Sequence, residues 1–249
     1  LYDLEINLLH NSHSIDQVKS YFGMRKFSLE PDHQGILRFC LNNQPLFQYG
    51  PLDQGYWPDG LYTPPSETAM RSDLKFIKSI GCNMVRKHIK VEPARYYYDC
   101  DRLGLILWQD MPNGGKAVGA FLSTLAVIFS KLTRRDDHFY WRAGRESRES
   151  RQNFTQELQG LVDHLHNFVC IGIWIPFNEG WGQFDANAIA AWLKEYDPTR
   201  PVDHASGWFD QGGGDFRSIH TYFNALSPEN PGHDRAVILS EFGGYALKV

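Results

Sequence analysis

The chain has 249 residues, 42% of them hydrophobic, and a formal net charge of −4 at pH 7. That apolar share supports a sizeable core and excludes a disordered chain. The acidic balance argues against binding nucleic acid through phosphate neutralisation, so no nucleic-acid partner is expected.

Residues Tyr2–Leu9 and Val18–Leu29 alternate apolar and polar, and read as two antiparallel strands joined by the polar turn HNSHSID. Two strands alone are marginal, so they are expected to end a β-sandwich whose earlier strands precede Leu1. Gln34–Gly50 reads as a hairpin turning at Asn42-Asn43. From Leu46 the rhythm changes to strand, loop, helix. PLFQYG is an apolar strand. Ser66–Gly81 has an N-cap serine, helical spacing of Met70, Leu74, Ile77 and Ile80, and a terminal glycine. Asn83–His88 is the next strand, Pro93–Gly104 a helix that opens on proline and closes on glycine, and Leu105–Asp110 another strand. After a long loop come a helix over Arg148–Asn167, the strand IGIWIPF, a helix over Phe184–Asp197, and the candidate strands PVDHA, FRSIH and AVILSEF. The stretch Ala117–Phe129 is too short to span a bilayer and reads as a packed segment, so no membrane association is expected. Cys40, Cys82, Cys100 and Cys170 form no CxxC pair and read as buried free thiols rather than metal ligands.

Strands that alternate with helices and read as unbroken apolar runs predict a parallel sheet covered on both faces. The leading fold class is therefore α/β, a TIM (β/α)8 barrel, which takes roughly 250 residues. An open doubly wound sheet is the alternative, weakened because no glycine-rich phosphate loop follows the first strand. Only seven barrel strands are counted before Val249, so the barrel is expected to be truncated before its eighth strand.

In such a barrel the chemistry sits at the C-terminal strand ends. Those ends carry Asp53, Tyr56 and Trp57; Arg86 and His88; Trp108, Gln109 and Asp110; Asn178 and Glu179; His204; His220 and Tyr222; and Glu241. Glu179 and Glu241 each follow a strand and are followed by glycines, at once or after Phe242. Alone, either reads as a solvated loop residue. Together, facing across a barrel, they are what glycoside hydrolysis needs: one carboxyl protonates the leaving oxygen, the other attacks or stabilises the anomeric carbon. Close like charges also raise the affinity of one partner for its proton. A metal-dependent hydrolase built on His88, His204 and His220 is a weaker reading, because neither an HxH pair on the first strand nor an HExxH helix is present. No cofactor or metal is expected.

The segments LDQGYWPDGLYTPP, GCNMVRKHIKVEPARYYYDCDRLGLILWQDMPNGG, WIPFNEGWGQFD, DPTRPVDHASGW and LSEFGG resemble glycoside hydrolase family 2, the retaining β-glycosidases. The resemblance covers nearly the whole chain. It implies that residues 1–30 are the tail of an immunoglobulin-like β-sandwich and that residues 31–249 are a TIM-barrel catalytic domain, incomplete at its C-terminus. It also implies that Glu179 is the general acid/base, Glu241 the nucleophile, Asn178 a ligand of the sugar 2-hydroxyl and Arg86 the holder of the nucleophile. His88, Asp110, His220 and Tyr222 are candidates for sugar hydroxyl contacts. Asp53 lies on the same rim, and Trp57, Trp108, Trp181 and Trp208 are candidate stacking platforms, with core packing the commoner role for tryptophan. The partner implied is a carbohydrate. The alternative is an inactive carbohydrate-binding or structural remnant of the same fold. The segment HTYFNALSPENPG is longer than the turn expected there.

Overall fold

The structure is a computed structural model, and it describes residues 1–117, 119, 137–222 and 234–243. Most of the apolar stretch Ala117–Phe129 and of the segment after Tyr222 lies outside the described residues.

Strands β1 (Tyr2–His10) and β2 (His13–Phe22) form an antiparallel hairpin whose turn residues Asn11 and Ser12 take positive φ. Val18–Leu29 is not one strand. A side chain at Gly23 would stand 2.8 Å from Val169, so the chain leaves the hairpin there. It resumes as β3 (Phe27–Pro31), which pairs with β4 (Leu37–Leu41), followed by β5 (Gln44–Pro45). The expected strand PLFQYG is likewise displaced. Phe47 and Tyr49 are exposed, and the Asn83 side chain holds their backbone by donating to Phe47 O and accepting from Tyr49 N. The first parallel strand is β6 (Leu52–Asp53).

Parallel strands β6, β7 (Met84–Lys87), β8 (Ile106–Asp110) and β9 (Ile171–Ile175) lie side by side in chain order. Helices α1 (Glu67–Ser79), α2 (Ala94–Leu103) and α3 (Arg148–Leu165) fall between them, and α4 (Ala186–Tyr196) follows β9. As expected, the Ser66 side chain caps α1 by accepting from Ala69 N, and α2 closes on left-handed Gly104. PVDHA contributes only parallel bridges, Trp174 to Val202 and Asn178 to Ser206, rather than a full strand. A second parallel pair, β10 (Phe216–Thr221) and β11 (Ala236–Phe242), continues the arc. Among the described residues the arc stays open, because no ladder joins β11 back to β6. The fold is thus the expected run of parallel strands alternating with helices, without a closed cylinder.

The strands divide their side chains between two layers, by alternation except on β9, where the pairing with β8 shifts by one residue after Ile171. Val85, Leu107, Ile171 and Trp174 face the helices and pack with Leu74, Tyr97, Phe154 and Leu158. Met84, Ile106, Ile173, Phe216 and Ala236 face inward and pack with Phe27 and Phe39. These inward residues make an apolar floor. Further along the same strands, the inward positions are Arg86, Asp110, Ser218, His220 and Ser240, all buried. The floor is apolar and the upper layer polar. All four cysteines are buried and free. Among the described residues no helix is long and apolar enough to cross a membrane.

Candidate active site

The turn after β9 explains its glycines. Glu179 has a positive φ of 51° and donates its backbone N–H to Ser206 O at 2.9 Å. Gly180 follows at φ 73°, where a side-chain carbon would lie 2.2 Å from the Phe209 ring. Only glycine fits there. Asn113 fixes the approach to this turn from the other side: its Oδ1 accepts from Asn178 N at 3.1 Å and its Nδ2 donates to Pro176 O at 2.8 Å.

Arg86 on β7 is the hub of the polar layer. Its Nε and Nη2 each donate to Asp110, both at 3.0 Å, in a bidentate pair. Nη1 donates to Glu241 Oε1 at 3.0 Å, and Nη2 also donates to Asn178 Oδ1 at 2.8 Å. That bond orients the amide, so Asn178 Nδ2 donates to His88 Nε2 at 3.0 Å. Burial alone would lower the proton affinity of the guanidinium, but Asp110 and Glu241 outweigh it and hold it above its ordinary value. The planar fork suits this duty better than an ammonium.

The two glutamates meet at Tyr222 and His220. Tyr222 Oη lies 2.9 Å from Glu179 Oε1 and 2.5 Å from Glu241 Oε2, so one phenolic proton serves the pair. Burial and the two carboxylates push that phenol well above its ordinary range. His220 Nδ1 lies 3.0 Å from Glu179 Oε1, and its Nε2 lies 3.2 Å from Ser206 Oγ. Burial pushes the imidazole down to about 3, against the pull of Glu241, so it is neutral. Burial raises the Glu179 carboxyl above its ordinary value, although Tyr222, His88 and Arg86 offset part of that. One oxygen of Glu179, one of Glu241 and a ring nitrogen of His220 all lie within 4.8 Å of one another. The cation among them is Arg86, which already holds Glu241. A second acidic group, Asp137, His138 and Asp185, is accounted for by its own contacts: His138 Nδ1 lies 2.7 Å from Asp185, and Asp137 accepts from Ala186 N at 2.9 Å.

The structure thus brings together Glu179, Glu241, Asn178, Arg86, His88, Asp110, His220 and Tyr222. Asp110 is fully buried and spends both oxygens on Arg86. Three of the four aromatic candidates fall elsewhere, and Trp208 alone borders the cluster, its ring 6.3 Å from that of His220. Trp108 sits in the apolar floor and donates to Gln48 at 2.6 Å, Trp57 packs against the outer core, and Trp181 is 46% exposed. Trp208 is buried against Phe209, with Tyr222 packed beside the pair. Asp53 pairs with Lys87 at 2.8 Å and accepts from Tyr96, on the helix-facing side of β7. His204 pairs with Asp210 at 3.1 Å, apart from His88 and His220. Sequence reading missed Asn113, Asp203 and the hydroxyl cluster of Ser206, Ser218 and Ser240, which lie 2.5–3.3 Å from one another beneath His220. Serines preceding polar strand ends, as in LSEFGG and HASGW, were the available signal.

Two carboxylates thus converge at the strand ends of a parallel α/β scaffold. Residues 64–230 match the TIM barrel domain of glycosyl hydrolases family 2, and the chain belongs to that family. It is 28% identical over 151 residues to an exo-β-D-glucosaminidase of Amycolatopsis orientalis, a match covering 55% of this chain and 14% of that protein. It is also 28% identical over 185 residues to a β-galactosidase of Vibrio cholerae, covering 74% of this chain and 16% of that one. Among solved structures it resembles the β-D-glucuronidase of Dictyoglomus thermophilum (TM-score 0.72, 16% identity, 98% of this chain and 43% of that one). A β-glucuronidase of Parabacteroides merdae also matches (TM-score 0.64, 17% identity, 88% and 25%). The chain spans less than a third of the length of these two curated relatives.

Proposed function

We propose that this chain carries the catalytic centre of a retaining β-glycosidase, with Glu179 as general acid/base and Glu241 as nucleophile. The observation that carries the reading is the unlike environment of two neighbouring carboxyls. Glu241 is gripped by Arg86 at 3.0 Å, which favours the anionic nucleophile. Glu179 has no such cation bonded to it, and burial raises its proton affinity, which favours the acid. Their nearest oxygens fall within 4.8 Å. That suits the roughly 5–5.5 Å carboxyl spacing of retaining enzymes better than the roughly 6.5–9.5 Å that accommodates an attacking water.

In the first step Glu241 attacks the anomeric carbon while Glu179 protonates the departing oxygen. In the second, Glu179 takes a proton from water, which displaces Glu241 with a second inversion. In this reading Asn178, oriented by Arg86 and Asn113, bonds the 2-hydroxyl. Tyr222 steadies Glu241 and hands its hydrogen bond between the two carboxyls as their charges change. The names of the relatives support a β-linked pyranoside as substrate. A 2-deoxy-2-fluoro β-glycoside should glycosylate the protein at Glu241, read by mass spectrometry of the peptide. Labelling at a different residue, or a product of inverted configuration by NMR, rules this mechanism out.

A further inference from the structure

The loop leaving β6 rests on more buried charge than a surface turn requires. Lys90, itself buried, donates to Gly55 O and Tyr62 O, both at 2.8 Å, and pairs with Glu92 at 2.8 Å. Lys87, fully buried, pairs with the same Glu92 oxygen at 2.6 Å and with Asp53 at 2.8 Å. Gly55 lies directly on this cluster: at φ +69°, a side-chain carbon there would sit 2.6 Å from Glu92 Oε1 and 2.8 Å from either lysine Nζ. Trp57 and Leu61 exchange backbone hydrogen bonds at 2.8 and 3.0 Å, and Trp57 anchors the loop against the outer core.

What this anchoring presents to water is a pair of tyrosines. Tyr56 is 59% exposed and Tyr62 50%. Their ring centroids lie 4.8 Å apart at 53°, their hydroxyls are 2.8 Å apart, and Lys90 Nζ lies 5.2 Å from the Tyr62 ring centre. Burying paired charges costs desolvation and adds little to stability. Here it fixes two rings that bury little themselves. Rigid, half-exposed tyrosines offer apolar faces and hydroxyls together at small entropic cost, which is how a binding surface is made.

The loop leaves the C-terminal end of β6, which pairs in parallel with β7, the strand that carries Arg86 and leads to His88. His88 Nε2 is 3.0 Å from Asn178 Nδ2 and 3.8 Å from Glu241. Lys90, two residues further along the chain, is tied to Tyr62. The loop that carries the tyrosines thus opens at the same end of the sheet as the carboxylate cluster.

We propose that Tyr56 and Tyr62 form a stacking platform for the sugar unit next to the one whose bond is cleaved, making the site one for oligosaccharides. The inference rests on the glycosidase reading. A pyranose matches this surface because its C–H face packs on aromatic rings while its hydroxyls meet the phenols. One phenolic hydrogen remains free after the tyrosines bond to each other.

The test compares kcat/KM of the whole protein on two substrates of the same sugar: the β-glycosyl fluoride, whose leaving group has no ring, and the β-linked trisaccharide. Tyr56→Ala and Tyr62→Ala should each lower the trisaccharide value about tenfold through KM, the rate equivalent of about 1.4 kcal/mol, and leave the fluoride within about twofold. Tyr62→Phe should fall between. Equal losses on both substrates, or none on the trisaccharide, overturn the platform. If the wild-type protein cleaves neither substrate, the glycosidase reading fails. Calorimetric binding of β-linked trisaccharides then decides the platform: weakening in the alanine variants supports it, and unchanged or absent binding overturns it.

Discussion

Asp203 is a buried carboxyl that the proposed chemistry does not use, and its replacement by asparagine tests the electrostatics of the polar layer. The side chain is fully buried, and neither carboxyl oxygen completes a hydrogen bond. Burial raises its proton affinity from 3.8 to about 6, although His204, Arg86 and the nearby Ser218 hydroxyl offset part of the effect. The folded chain therefore holds this proton more tightly than the unfolded one. The stability it contributes is fully present below the unfolded value and is lost as pH rises through the folded one. Each pH unit in that window is worth about 1.4 kcal/mol, so roughly 3 kcal/mol disappears by neutrality. The amide introduced by Asp203→Asn has the same shape and no charge to bury. The variant should match the wild type at about pH 4 and exceed it by up to about 3 kcal/mol near pH 7. His220 acts oppositely, its proton affinity being lowered to about 3, so it favours the fold as pH rises towards its unfolded value. It is present in both proteins and cancels in the difference. Urea unfolding of the two proteins across this range reads that difference directly. A constant difference, or a variant weaker at neutral pH, would show that Asp203 is satisfied in the folded protein and refute the reasoning.

Two further substitutions probe the supports of the site. Arg86→Met should destabilise by about 3–5 kcal/mol in the same unfolding assay, because it leaves Asp110 and Glu241 buried without their cation. A smaller loss would mean that one of those carboxyls protonates at little cost. Gly55→Ala should cost more than about 1 kcal/mol, since it combines a positive φ with contacts closer than 3 Å to three charged groups. It should also raise KM for oligosaccharides through the displaced tyrosines. A raised KM for the glycosyl fluoride as well would place the loop in general support of the site.

The parts legible in the sequence were those set by local pattern. The helices at Ser66–Gly81 and Pro93–Gly104 announced themselves by caps, and the strand ends at Arg86, Asn178-Glu179 and Glu241 by an abrupt change from apolar to polar. What could not be read was which aromatic faces water. Trp57 and Tyr56 are neighbours in one motif, yet one packs against the core and the other is exposed, because the bridge from Trp57 to Leu61 decides the direction. Nor could the strand near PVDHA be measured by composition, since its pairing reduces to bridges at Val202 and Ser206.

The same limit explains why Ser240 went unnoticed beside Glu241. In a regular strand two successive side chains point to opposite faces, so a reader who places Glu241 inward must place Ser240 outward. Instead the pairing of β10 with β11 runs in step from Phe216 with Ala236 to Ile219 with Leu239, then skips Ser240 and matches His220 with Glu241. This irregularity adds one residue to β11, so that Glu241 joins Ser240, inward already by alternation from Ala236, in the polar layer. Ser240 reaches Ser206 and Ser218, while Glu241 reaches Arg86 and Tyr222. The shift delivers the carboxylate to the arginine and at once supplies a hydroxyl floor beneath His220. No periodicity within the segment AVILSEF marks that extra residue, because what creates it is the register of a neighbouring strand.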